Sequence, residues 1–269
     1  MNQSITRFYS DCEKAAQVIQ EYIKKEEFIP IFAHNDPDGV TAGTIIGKAV
    51  YRLGGKFLLR IIDRLDDNIV NQILQIKSKI YVFAEIGSGY LDSIKKISDG
   101  QIIVMDHHKP MEISIPNLTH VNPMFYGVDG AKDVSGSTVC YNVAKKLSNK
   151  NSDLSHLAVV GALGDLQDKN KERCLQILNK SVVEDAEAQG TLQVSKDLLF
   201  FGRETRPIHQ AIATTMNPFL PDLSGKEDNC LGFITRLGIP LKEKDRFRTL
   251  SDLTKEEKEK IFSQLTILL

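Results

Sequence analysis

Apolar residues along this chain fall in short runs that repeatedly stop on acids and histidines. Ile102, Ile103, Val104 and Met105 run directly into Asp106, His107 and His108. Ile29 to Ala33 gives way to His34, Asp36, Asp38 and Gly39, and Ile80 to Ala84 gives way to Glu85, Gly87, Ser88 and Gly89. Leu157 to Leu163 ends in Gly164, Asp165, Leu166, Gln167 and Asp168. Short apolar runs bounded by turn residues read as buried strands, and the stretches between them have helical spacing. Phe8, Ala15, Ala16, Val18, Ile19, Tyr22 and Ile23 mark an amphipathic opening helix over residues 8–25. Thr41 to Leu53 reads as a helix ended by Gly54 and Gly55, Asp66 to Gln75 and Leu91 to Ile97 as further helices, and Lys56 to Ile62, Lys79 to Ala84 and Gln101 to Met105 as strands. Leu118 to Asn122 adds another strand. This alternation predicts an α/β protein with a parallel sheet of about five strands, flanked by helices and joined by right-handed crossovers. Such sheets bind ligands outside the carboxyl ends of their strands, so parallel neighbours would bring the acids and imidazoles into one place.

From Ser135 the pattern turns mainly helical, with helices predicted over Ser137 to Leu147, Leu154 to Leu163 and Lys171 to Glu187. After Thr191 the chain is broken by Gly202, Pro207, Pro218, Pro221, Gly225, Gly232, Gly238 and Pro240, and a capped helix closes it at Thr254 to Leu265. We therefore expect one α/β domain over 1–190 and a mainly helical appendage over 191–269. The alternating Lys, Glu and Asp of Lys242 to Arg248 read as a solvated face. With 269 residues and 42% hydrophobic content the chain can build an ordinary core. A net charge of -1 gives no overall basic excess, so nucleic acid would have to be met by a local patch. Cys12, Cys140, Cys174 and Cys230 are far apart and form no CxxC pair, which argues against a zinc ribbon or a disulfide framework and for a reducing, cytoplasmic setting. No apolar run approaches about 18 residues and nothing resembles a signal peptide, so no membrane association is expected.

Carboxylates and imidazoles without thiolates suit Mn²⁺, Mg²⁺ or Zn²⁺, and a set dominated by Asp favours Mn²⁺. Two such ions close together are the standard means of hydrolysing a phosphodiester. His34, Asp36, Asp38, Glu85, Asp106, His107 and Asp165 suffice in number to hold them. Structural duties compete with this reading: His34 and Asp36 suit an Asx-type turn, Asp165 a helix end, and Asp168 a cap or a hydrogen-bond partner. Ser135, Gly136, Ser137 and Thr138 open a predicted helix whose N–H groups would receive a phosphate, although capping explains the same residues equally well. Arg203, Arg206 and His209 would grip a second phosphate or form salt bridges with Glu204 and its neighbours. His120 and His156 receive no role.

HNDPDG, the turn at Glu85, MDHH and GDLQD, in this order and spacing, resemble the DHH phosphoesterase superfamily. Its members include RecJ-type exonucleases, oligoribonucleases, cyclic-dinucleotide phosphodiesterases and an inorganic pyrophosphatase. HVNPMFYGVDG at His120 to Gly130, SGST at Ser135 to Thr138 and GRETRPIH at Gly202 to His209 bring the sequence nearest to the archaeal RecJ-like proteins, including the GINS-associated nuclease. The resemblance implies that His34 and Asp36 hold one metal and Asp38, His107 and Asp165 the other, with the carboxylate of the second motif bridging. It makes Asp106 an orienting or coordinating residue and places His108 against the scissile phosphate. It implies Mn²⁺, with Mg²⁺ possible, and end-first cleavage of single-stranded DNA or RNA, 5′ to 3′, in replication or repair. A scaffold that binds GINS at the replicative helicase, or an enzyme for dinucleotides, is the alternative. The chain departs from the pattern at the bridge, where the family usually has Asp and this sequence has Glu85. It also lacks the glycine-rich signature of a DHHA1 domain before Leu269, so the expectation is either a fragment whose appendage starts a connection to such a domain, or a missing half supplied by a partner, or a short substrate.

Overall fold

A computed structural model describes residues 2–97 and 100–268. They form two compact units, Met1–Gln193 and Val194–Leu269. The first runs α1 (Asn2–Lys24), β1 (Phe28–His34), α2 (Pro37–Arg52), β2 (Lys56–Ile62), α3 (Asp67–Leu74), β3 (Ile80–Ala84), α4 (Leu91–Ile94), β4 (Gln101–Met105), β5 (Leu118–Val121), α5 (Gly136–Leu147), α6 (Ser155–Gly164) and α7 (Ile177–Ala188). All five strands are parallel, in the order β2-β1-β3-β4-β5. The fold is the expected α/β sheet flanked by helices, followed by a helical C-terminal region.

Both faces of this sheet are covered, which is why β3 and β4 read as unbroken apolar runs rather than alternating ones. Ile29, Ile31, Ala33, Val82, Ala84, Ile103 and Met105 pack beneath α1, α2, α5, α6 and α7. The intervening residues Phe32, Tyr81, Phe83, Ile102 and Val104 point the other way, onto Val70 and Ile73 of α3 and Leu91 and Ile94 of α4. From β1 the chain steps outward to β2 and then back across to β3. The strand order therefore reverses between β1 and β3, and the crevice opened by that reversal is where open α/β sheets take ligands.

Several boundaries differ from the sequence expectation for local reasons. Helix α2 starts at Pro37, not at Thr41, because the Asp36 carboxylate caps it by accepting from the Gly39 N–H and Pro37 is preset for a first helical turn. Residues 171–176 stay out of α7, since the Asn170 side chain ties that stretch into a loop by donating to the Cys174 carbonyl. The run Lys242 to Arg248 is a short hairpin rather than a uniformly solvated face.

The second unit comprises α8 (Ile208–Thr214), α9 (Glu227–Arg236), β6 (Lys242–Glu243), β7 (Arg246–Phe247) and α10 (Lys255–Leu268). It has a core of its own, with Ile212, Leu223, Cys230, Ile234, Leu250 and Ile261 at the centre. Strands β6 and β7 form the antiparallel hairpin, and Arg248 turns inward just after it.

Candidate metal centre

The loops leaving β1, β3 and β4 and the end of α6 meet at the reversal point of the sheet. His34 is the last residue of β1 and Asp36 the cap of α2. The His34 Nδ1–H donates to Asp36 Oδ2 at 2.8 Å and lies 3.1 Å from Glu85 Oε2. Asp38, in the first turn of α2, is fully buried and receives the N–H groups of Gly136 (2.6 Å) and Ser137 (2.9 Å). The positive end of α5 therefore serves an anion of the chain itself. The expectation that Ser135, Gly136 and Ser137 offer free N–H groups to a phosphate does not hold. The Ser135 N–H goes to Asn179 Oδ1, and the Ser135 hydroxyl caps α5 by accepting from the Thr138 N–H.

Glu85 follows β3 with φ 62°, a left-handed conformation unusual for a side chain of this size. Neighbouring backbone crowds it: a Cβ on Gly136 would come within 2.3 Å of Glu85 Cγ. Glycine at 136 is what lets α5 approach this closely. Gly161 does the same for α6, since a Cβ there would fall 2.4 Å from Asp38 Oδ1.

His107 anchors its Nδ1–H on the Gly130 carbonyl at 2.7 Å. A carbonyl can only accept, so the proton sits on Nδ1 and Nε2 is left facing inward. Nε2 lies 3.4 Å from Asp165 Oδ2, 3.5 Å from Glu85 Oε1 and 3.6 Å from Asp38 Oδ2. The donor atoms thus fall into three overlapping groups, His34, Asp36, Glu85, then Asp38, His107, Asp165, and Glu85, Asp106, His107, His108, each with its atoms within 4.8 Å of one another. The two Glu85 oxygens look one way each, Oε2 toward His34 and Oε1 toward His107.

Asp106 is buried, and its oxygens accept from the N–H groups of Ser88 (2.8 Å), His107 (2.7 Å) and His108 (3.1 Å) and from His108 Nδ1 (2.8 Å). Those bonds shape the loop and aim His108, whose side chain is 53% exposed to the cleft. Burial works to raise the Asp106 pKa, but the bond from His108 and the two imidazoles outweigh it and hold the carboxyl well below its ordinary value. Glu85 goes the other way. Burial, reinforced by Asp38, Asp36 and Asp106 and only partly opposed by His107, pushes it up to about 7. Burial and Asp38 likewise raise Asp165 to about 6. For His107 burial favours the neutral ring, yet Glu85, Asp38 and Asp106 prevail and raise it.

A supporting layer escaped the sequence reading. Gln167 Nε2 donates to the Gly130 carbonyl (3.0 Å), the same oxygen that holds His107, and Gln167 Oε1 accepts from Asn179. Asn122 donates to the Ser88 hydroxyl (2.9 Å) and to the His108 carbonyl (2.8 Å). His120, given no role from sequence, closes the group through Ser88 at 2.8 Å, with burial lowering its pKa to about 4. The sequence contained one hint, the polar Gln167 between Asp165 and Asp168. Arg203 and Arg206 belong to the second unit, where Arg203 pairs with Glu204 at 3.3 Å and Arg206 lies over the Phe201 ring at 5.1 Å.

Residues 28–164, about half of the chain, match the family model described as DHH family, N-terminal domain. The chain belongs to the DHH family. Residues 200–268 match a further model, the DHH-CID domain. The uncharacterized protein MJ0831 of Methanocaldococcus jannaschii is 30% identical over 236 residues, covering 85% of this chain and 52% of the relative. The chain thus spans about half the length of the curated relative it matches. Exonuclease RecJ bound to manganese superimposes with a TM-score of 0.55 at 18% identity, covering 96% of this chain and 65% of that one. RecJ in complex with Mn²⁺ from Thermus thermophilus gives 0.56 at 18%, covering 96% and 37%. CDC45 from Entamoeba histolytica gives 0.68 at 12%, covering 96% and 56%. At these identities the likeness is one of fold, and this DHH chain has the RecJ-like fold. No helix among its described residues is long and apolar enough to cross a membrane.

Proposed function

We propose that this DHH chain is a two-metal phosphodiesterase of RecJ-like type that degrades single-stranded nucleic acid from an end. One observation supports the reading above all others: both carboxylate oxygens of Glu85 and Nε2 of His107 are buried without a hydrogen-bond partner among the described residues. Leaving such groups unsatisfied costs several kcal/mol, a sacrifice that makes sense where a cation takes the place of the missing partners. The donors fit hard divalent ions, with His34 and Asp36 on one side, Asp38, His107 and Asp165 on the other, and Glu85 shared. Mn²⁺ suits this mixture of oxygen and nitrogen, and Mg²⁺ is the second choice. When bound, such a pair activates a water and neutralises phosphate oxygens.

The chain's own residues supply the remainder. Asp106 bonds Nδ1 of His108 and raises its pKa, against the opposing effect of burial, a shift that favours the protonated ring, whose N–H would be offered to a phosphate oxygen. Asp106 itself positions. Glu85 in place of the family's Asp would be shared between the ions, and its left-handed backbone together with Gly136 leaves space for the longer side chain.

A 5′-labelled and a 3′-labelled oligonucleotide incubated with Mn²⁺ test the reading and report polarity. Cleavage by the wild-type chain, lost in His107→Ala and in Asp36→Ala, is the expected result. Equal products from all three proteins would sink it. A replication scaffold is the second reading, favoured by the higher TM-score to CDC45 than to RecJ. It predicts stable binding to GINS or the replicative helicase that survives His107→Ala and is unaccompanied by hydrolysis.

A further inference from the structure

Beside the candidate metal centre lies a cleft of about 420 Å³, lined by His34, Glu85, Asp106 and His108 and by Ile86, Gly87, Gly89 and Tyr90. The first set is accounted for by phosphate chemistry. The wall formed by the second set is not.

Three features of that wall need an occupant. Tyr90 is 36% exposed, and its hydroxyl makes no hydrogen bond among the described residues. It does not hold the segment in place either, because Leu91 and Ile94, immediately after it, are the side chains buried in the core. Gly89, next to it, is a glycine without an internal reason. Its φ is not in the left-handed region, and a Cβ added there would meet nothing within 4 Å. Glycines of this kind leave room for something outside the chain to come close to the backbone. The turn bearing both residues is rigid: Ser88 is fully buried, its N–H is held by Asp106, and its carbonyl accepts from the Met111 N–H at 2.9 Å. A firmly mounted aromatic ring next to open backbone is a surface for a flat, apolar ligand.

We infer that Tyr90, with Gly89 beside it, is a stacking platform for the unpaired base of the nucleotide whose phosphate faces His108. This rests on the phosphodiesterase reading and deepens it by naming what the cleft grips besides phosphate. A base can lie on Tyr90 only if it is free of its complementary strand, so the platform selects single strands over duplex. Stacking is indifferent to base identity, and the platform therefore adds affinity without sequence preference. The cleft volume of about 420 Å³ falls in the range of small-molecule sites, enough for one nucleotide.

The test uses the full chain, Tyr90→Ala and Tyr90→Phe, with DNA and RNA oligonucleotides of one sequence, intact or with a single abasic nucleotide at the cleaved end. Binding is read by fluorescence anisotropy and turnover in Mn²⁺ by steady-state kinetics. Tyr90→Ala is expected to raise both Kd and KM on the order of 5- to 150-fold while kcat changes little, and Tyr90→Phe to behave as wild type. The abasic oligonucleotide should bind wild type with the same deficit and bind Tyr90→Ala no worse than the intact one does. The DNA and RNA arms show whether the ribose hydroxyl matters to the platform. Equal Kd values for wild type and Tyr90→Ala, or a full abasic penalty that persists in Tyr90→Ala, would overturn the platform even if the chain is an active nuclease. An inert wild type would instead overturn the nuclease reading, and the anisotropy arm would still decide the platform.

Discussion

Glu85 in the first unit and Arg248 in the second are both charged side chains withdrawn from water, 1% and 8% exposed respectively, and the two units treat them in opposite ways. Arg248 is fully furnished. It donates to both oxygens of Glu257 (2.9 and 2.6 Å), to the Asp252 carbonyl (2.8 Å) and to the Pro240 carbonyl (3.2 Å). Glu85 has three carboxylates around it, and neither of its oxygens has a hydrogen-bond partner among the described residues. Arg248 is buried with its partners complete and Glu85 is not, and the incomplete carboxylate at the sheet's reversal point is arranged for something other than architecture. The contrast can be broken from either side.

The largest effect is expected at the metal centre. His107→Ala should lower Mn²⁺-dependent hydrolysis on the order of 10³-fold or more, measured on a labelled single strand, since it removes a donor that acts as part of a set. Glu85→Gln should abolish Mn²⁺ binding in calorimetry and at the same time, above the Glu85 pKa of about 7, raise the melting temperature of the metal-free chain, because a neutral amide is cheaper to bury than an unpaired carboxylate. A Glu85→Gln chain that melts lower than wild type without metal would show that Glu85 is structural after all. Arg248→Ala should do the reverse: leave metal binding untouched and destabilise the chain by roughly 3 kcal/mol in urea unfolding, because Glu257 is left without its partner.

The same contrast explains what could be read from sequence. Strand β4 falls where its apolar run places it, because a strand covered on both faces must be apolar along its length, and the edge strand β2, though largely exposed or half-buried, also falls where expected. His34, Asp36, Asp38, Glu85, His107 and Asp165 were legible as a group because each follows an apolar run, and the parallel order then brings their ends together. Contacts made by residues far apart in the chain were not legible. The N–H groups of Gly136 and Ser137 were expected to be open, yet Asp38, 98 and 99 residues away, takes both. Arg248 read as part of a solvated run because its bidentate partner, Glu257, comes from α10. Tyr90 drew no reading from the sequence, since nothing in its sequence neighbourhood sets it apart from any exposed aromatic residue.

A smaller effect is expected one layer out. Gln167→Leu removes the donor that shares the Gly130 carbonyl with His107 and strands the Asn179 amide that bonds Gln167. Loosening the imidazole's anchor in this way should weaken Mn²⁺ binding by roughly 10- to 100-fold, with His107 itself still present. Calorimetric titration of Mn²⁺ into Gln167→Leu checks it, and an unchanged Kd would mean that the carbonyl holds the ring unaided.

The gentlest test of the comparison is pH. Glu85 and Asp165 have pKa values raised in the folded chain, to about 7 and about 6, so folding retains protons that the unfolded chain gives up. Their contribution to stability is complete below the ordinary carboxylate range and is lost as pH rises through those values. His107 is raised as well, so its contribution is present below about 6.5 and fades at still higher pH, in the same direction. The metal-free chain should therefore lose a few degrees of melting temperature between about pH 5 and pH 8. Mn²⁺ competes with those same protons, so the gap in melting temperature between Mn²⁺-loaded and chelator-treated chain should widen over the same interval. Arg248 and Glu257 stay charged throughout that interval, and Arg248→Ala should shift both curves down without changing how the gap opens. A gap independent of pH would mean that the proton-binding groups and the cation-binding groups are not the same ones.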